Sequence, residues 1–151
     1  EAAKTLSKAV TQSPYQKERS TRIIESVDQL QRKAGQTPGI FGRTAALPIP
    51  DFLRTNAFRN FQAELVTLKS SIFSGELTAM REASKTGGAV GNVSDREGDK
   101  LENALGALDM KQSPENFMLQ LQRIKDSINR WNEAVISAAG KQDDLRKKYN
   151  Y

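Results

Sequence analysis

Residues 113–135 read SPENFMLQLQRIKDSINRWNEAV. Phe117, Leu121, Ile124, Ile128, Trp131 and Val135 are spaced four, three, four, three, four, which is the a/d seam of an amphipathic helix. Ser113, Pro114 and Glu115 mark its start. A serine oxygen takes a free first-turn amide, proline loses nothing at the first helical position, and an acid suits the positive end of the helix dipole. Ala138, Leu145 and Tyr149 extend the phase, so the spacing predicts one helix over about 114–148. Burying each such apolar side chain is worth about 1.5–3 kcal/mol, so the stripe must meet another apolar surface.

Upstream, Phe58, Phe61, Leu65, Leu68 and Ile72 repeat the spacing in a helix predicted over about 51–73. This is the comparable stripe, so the expected arrangement is an antiparallel hairpin inside one chain. Neighbouring subunits are the alternative partner. These two stripes are the candidate surfaces for helix packing or subunit contact. Between them, SGELTAMREASKTGGAVGN (74–92) holds a short helical stretch around Leu77 to Ser84, then a glycine-rich loop at Gly87, Gly88 and Gly91. Ser94-Asp95-Arg96-Glu97 has the form of a capping box, opening a helix over about 94–110 with Leu101, Leu105 and Leu108 inward.

Toward the N-terminus, Leu6 and Val10 lie four apart in a weak helix ending near Thr11. Ser13, Pro14 and Gln16 predict a fresh start, followed by Ile23, Ile24, Val27 and Leu30 at helical spacing and a stop at Gly35. Residues 1–34 therefore read as a helical arm. Residues 35–50, GQTPGIFGRTAALPIP, hold three Pro and three Gly and cannot continue it. They predict an extended linker, with Ile40, Phe41, Leu47 and Ile49 apolar enough to lie along a neighbour's surface. Residues 51–151 form the helical domain. No segment alternates with period two, so the expected fold is all-α, a helical hairpin or small bundle of amphipathic helices with an extended Pro/Gly-rich linker.

Composition narrows the function. The 151 residues are 37% hydrophobic and 27% charged, too charged for a large core and too apolar for wholesale disorder. Without Cys or His, thiolate nucleophiles, disulfides, Cys- or His-ligated zinc and Ser-His-Asp arrangements are excluded. The loop TGGAVGN lacks a preceding strand and a Lys-Ser/Thr ending, so it reads as a connector, not a phosphate cradle. Asp95, Glu97, Asp99, Glu102 and Asp109 alternate with Arg96 and Lys100 and predict a solvated, salt-bridged face. No catalytic, metal or cofactor residues are assigned, and no small-molecule ligand is expected. The net charge is +5, with seven basic and four acidic residues in 1–34 and four and two in 140–151. Those two ends are the places for non-specific DNA contact. No apolar run approaches the roughly 18 residues of a transmembrane helix. The start at Glu1, not Met, predicts a processed product or a fragment of a longer protein.

Three runs then carry a resemblance. They are L-x-x-M-R-x-A-S (Leu77, Met80, Arg81, Ala83, Ser84), T-G-G-A-V-G-x-V-S-D-x-E (Thr86 to Glu97) and L-D-x-x-Q-S-P-E-x-F (Leu108 to Phe117). In this order they resemble a segment near the C-termini of tailed-bacteriophage internal virion, or DNA-transfer and ejection, proteins. The likeness covers roughly residues 65–135. It implies a non-enzymatic structural part of a virion, near the portal or tail axis, that reaches the host envelope on ejection. The partners it implies are other virion proteins (portal, tail or further ejection proteins) and further copies of the same chain. A tail, needle or adaptor component stays open. So does a DNA-binding packaging or scaffolding factor that uses the basic N-terminal arm.

Overall fold

The computed structural model describes residues 2–42, 55–85 and 88–149. Five α-helices are present among them: α1 (Ala2–Gln36), α2 (Asn56–Ser71), α3 (Thr78–Ser84), α4 (Gly88–Gly106) and α5 (Pro114–Tyr149). A single π-helical turn, Ile72–Leu77, carries α2 into α3, and Pro38–Ile40 forms a 3-10 turn after α1. No strand occurs among the described residues, and the fold is an all-α bundle of helices packed against each other. Two starts follow local chemistry. Ser113 Oγ accepts from the Asn116 amide at 3.2 Å, and Thr55 Oγ1 accepts from Phe58 N at 3.2 Å.

Four boundaries differ from the sequence expectation. The first helix runs unbroken through Pro14, where a new start was expected. A proline deletes one amide from the ladder, and packing of the following turns outweighs that loss. The second helix does not stop near 73. One extra residue in the π turn rotates the chain, so Ile72, Glu76, Leu77 and Met80 all face inward while Phe73 is left exposed. The expected glycine-rich loop is mostly helix, since α4 already begins at Gly88. Gly91 sits so close to the end of α3 that an added Cβ would lie 3.4 Å from the Ser84 carbonyl oxygen. Consequently Ser94–Glu97 is no cap, but lies in the interior of α4. That helix ends at Gly106, short of 110, with Leu108 and Met110 buried in the connection to α5.

The long helix buries Phe117, Leu121, Ile124, Ile128, Trp131 and Val135, as its spacing required. Its principal partners are not the expected ones. Over its buried stretch, Phe117 to Val135, α5 packs on α1 and α4, and it meets α2 through Phe61 and Phe117. Asp28 receives Lys125 at 2.8 Å and Gln16 reaches Asn132 at 3.4 Å, which fixes α1 antiparallel to α5. Ile23, Val27, Leu30 and Ala34 of α1 therefore share one core with Phe58, Phe61, Leu65, Leu68 and Ile72 and with the α5 seam. The segment 1–34 is thus a wall of the bundle as far as its side chains are described, from Gln16 on, and not an arm set apart from 51–151.

The linker contributes to that core. Ile40 and Phe41 are buried, and the Phe41 ring stands 5.5 Å edge-on from Phe61 and 4.9 Å from Phe117. Gly42 makes the turn behind them with φ +75, a left-handed conformation natural to glycine, and its amide donates to the Met110 carbonyl at 2.9 Å. Leu47 and Ile49 fall outside the described residues.

Candidate functional site

Two kinds of polar site emerge, one buried and one on a surface. The buried one lies where α1, the π turn and α5 meet. Glu76 is wholly enclosed, and its carboxylate accepts from Gln16 Nε2 at 2.8 Å, Arg19 Nε at 2.9 Å and Ser20 Oγ at 3.2 Å. Ser20 and Gln16 also face the Asn132 amide oxygen, at 3.1 and 3.4 Å. A buried carboxylate is costly to leave unpaired, and here three donors satisfy it. Its role here is to lock three elements together.

The surface site is built on α4. Successive registers of this helix do different work. Residues 97, 101 and 104 point into the bundle; 95, 99 and 102 form one exposed stripe; and 96, 100 and 103 form the next. Arg81, reaching across from α3, gathers the first exposed stripe. Its Nη1 lies 2.9 Å from Asp99 and 3.7 Å from Asp95, and its Nη2 lies 2.6 Å from Glu102. Gly98 makes room for this, since an added Cβ would come within 3.2 Å of Arg81 Nη1. The hydrogen bond to Asp99 raises the Arg81 pKa against the effect of burial, so the guanidinium stays charged.

On the other flank the signs are reversed. Glu97 is buried, and Arg130 of α5 grips it with both Nε and Nη2, at 2.9 and 3.1 Å. Lys100 Nζ stands 3.6 Å and Arg96 Nε 3.9 Å from the same carboxylate. Burial pushes the Glu97 carboxyl up. The Arg130 hydrogen bonds, the charges of Arg130 and Lys100 and a bond from Ser127 outweigh that, leaving it below the ordinary carboxylate range. Three carboxylates thus share one guanidinium on one flank of α4, and three cations share one carboxylate on the other. Counting formal charges, the flanks carry surpluses of two negative and two positive.

The positive flank opens onto a trough of about 530 Å³ between α4 and α5, floored by Ala104 and Ala107 and rimmed by Lys100, Arg123 and Arg130. Arg123 has no hydrogen bond or ion pair among the described residues. A second groove, of about 640 Å³, runs between α1 and α2 over Ser26, Ala63, Thr67 and Ser71, with mixed charge at its edges.

All eleven seam residues proposed from sequence as packing or interface candidates are buried within the single chain. The acidic face expected at 94–109 is partly real, since Asp95, Asp99 and Glu102 are exposed and paired, but Glu97 is not solvated. Sequence reasoning missed the Arg81 and Arg130 partnerships, and it missed Glu76. The available signal was spacing, because Gly91, Ser94, Leu101 and Leu105 fall on one inward face that also takes Glu97 and Gly98. No group of His, Cys, Asp or Glu that could hold a metal occurs among the described residues, and no described helix is long and apolar enough to cross a membrane. Compared with family models, curated proteins and solved structures, the chain matches none.

Proposed function

We propose that this chain is a non-enzymatic, α-helical structural component of a tailed-phage virion, working in the DNA-ejection apparatus beside portal or tail proteins. One observation carries the reading. Among the described residues that bear the phage resemblance are framework positions: Leu77, Met80, Leu108 and Phe117 are buried, Ser94 and Glu97 bind α5, and Arg81 clasps α4. Runs of this kind specify how helices pack, which is what a structural part needs. The buried carboxylates Glu76 and Glu97 support it further, because each is fully engaged in joining helices.

The test is protein mass spectrometry of purified phage particles whose genome encodes the chain, before and after triggered DNA release. An ejection component is present in full particles and depleted from emptied ones. Retention in emptied particles selects the tail, needle or adaptor alternative, and absence from full particles overturns the virion reading.

A further inference from the structure

The two charge networks on α4 have equal and opposite surpluses and lie on adjacent stripes of one helix. We infer that the α3–α4–α5 face is a docking surface for a second copy of this chain, with each copy's acidic stripe laid over the other's basic trough. The trough is open, has a small-residue floor at Ala104 and Ala107, and presents Arg123 without an internal partner.

Charge pattern selects this occupant. A polyanion such as nucleic acid, laid in the trough, would run beside Asp95, Asp99 and Glu102 on the very next stripe. Neighbouring stripes of one helix are closer than its diameter of about 10–12 Å and so comparable with the Debye length of about 8–10 Å at ordinary salt, so the repulsion is felt. The matching surface must carry both signs side by side, and this chain displays such a surface itself. A two-fold axis parallel to α4 places acid over base in both directions, an isologous contact. A two-fold axis across α4 would put like on like. Register adds a specific pair. With Ser94 opposite Trp131 and Glu97 opposite Arg130, the antiparallel α4/α5 pair sets Glu102 within one turn of the level of Arg123. In the dimer, Glu102 of each copy therefore meets Arg123 of its mate.

This contact deepens the structural reading above, and the two fail separately, since particle localisation tests that reading while the isolated chain tests this one. The experiment is sedimentation equilibrium of the 151-residue chain. It should be a dimer at about 0.01 M salt and dissociate at least about tenfold more readily at about 1 M, where screening shortens to about 3 Å. Arg123→Glu and Glu102→Lys should each be monomeric at low salt with unchanged helicity by circular dichroism. Mixed in equal amounts they should form a heterodimer, because one contact is then the native Glu102–Arg123 pair and the other is its charge-reversed form. A wild-type monomer at both salts overturns the proposal, as does a dimer indifferent to salt and to both swaps, or swaps that weaken it without rescue on mixing. A wild-type monomer that retains duplex DNA, and loses it on Arg123→Glu, would make the trough a polyanion site and would equally overturn it.

Discussion

The indole Nε1 of Trp131 donates to Ser94 Oγ across 2.7 Å, and both side chains are buried between α4 and α5. The serine that looks like a helix cap in the sequence is instead an interior acceptor joining two helices. It lies within hydrogen-bonding distance of the one tryptophan in the chain. A buried indole N–H left without an acceptor costs about 1–3 kcal/mol. The pair therefore selects one register of α4 on α5, where apolar contact alone would tolerate several.

Ser94→Ala should destabilise the chain by about 1–3 kcal/mol by stranding the indole donor. Trp131→Phe should cost at least as much, through lost area as well as the lost bond. The double variant should cost less than the sum, because the shared bond is lost only once. Urea unfolding of the three variants checks this, and strictly additive losses would show that the pair is not coupled.

Stability should fall in acid, and Glu97 should account for part of the fall. Its folded pKa is depressed, so its contribution is fully present above the unfolded value near 4.5 and is lost as pH drops through the lower folded value. Below pH 4.5, Glu97→Gln should therefore show a flatter stability profile than the parent. At neutral pH, Arg130→Met should cost about 1.5–3 kcal/mol, the worth of hydrogen bonds to a charged group. Thermal unfolding across pH 3–7, bracketing the carboxylate range, reads both effects.

The aromatic trio at the base of the bundle should be a stability centre. Phe117→Ala should cost about 3–5 kcal/mol, since its ring is wholly buried against Phe41 and Phe61. Ile128→Asp should unfold the monomer outright, because that position is wholly buried within one chain and burying a charge there is costly. Near-native helicity by circular dichroism in Ile128→Asp would contradict the packing described.

The same seam should matter little past Val135. Leu145 and Tyr149 keep the phase but are 43% and 60% exposed, so alanine at either should change stability by no more than about 0.5 kcal/mol. Equal losses at Leu145 and Leu121 in chemical unfolding would mean that the outer turns of α5 are packed.

How much was legible is best judged helix by helix. α5 could be read from its six seam residues and its Ser-Pro start, because both signals are local and repeat every turn. The role of α1 could not. Its seam switches from Ile23, Val27, Leu30 and Ala34 to the polar Gln16 and Ser20, and a polar residue with a buried partner looks like a solvent-facing one. α4 hid in the same way behind Gly91, Ser94, Glu97 and Gly98. The π turn left no local mark, since the two sides of Ile72–Leu77 are each in ordinary helical phase.

By itself, then, the sequence determined that the chain is helical, that Phe117 to Val135 and Phe58 to Ile72 are inward faces, and that no imidazole or thiol chemistry is available. Those features depend on composition and on a 3.6-residue period, which are properties of short stretches of chain. Tertiary structure alone decided that α5 pairs with α1 and α4, that Ser94 and Glu97 are interior anchors, and that acid and base divide cleanly along α4. The reason is energetic. Several partners can bury an apolar stripe almost equally well, but a buried carboxylate or indole N–H is tolerated only where a matching group from a distant part of the chain arrives within about 3 Å.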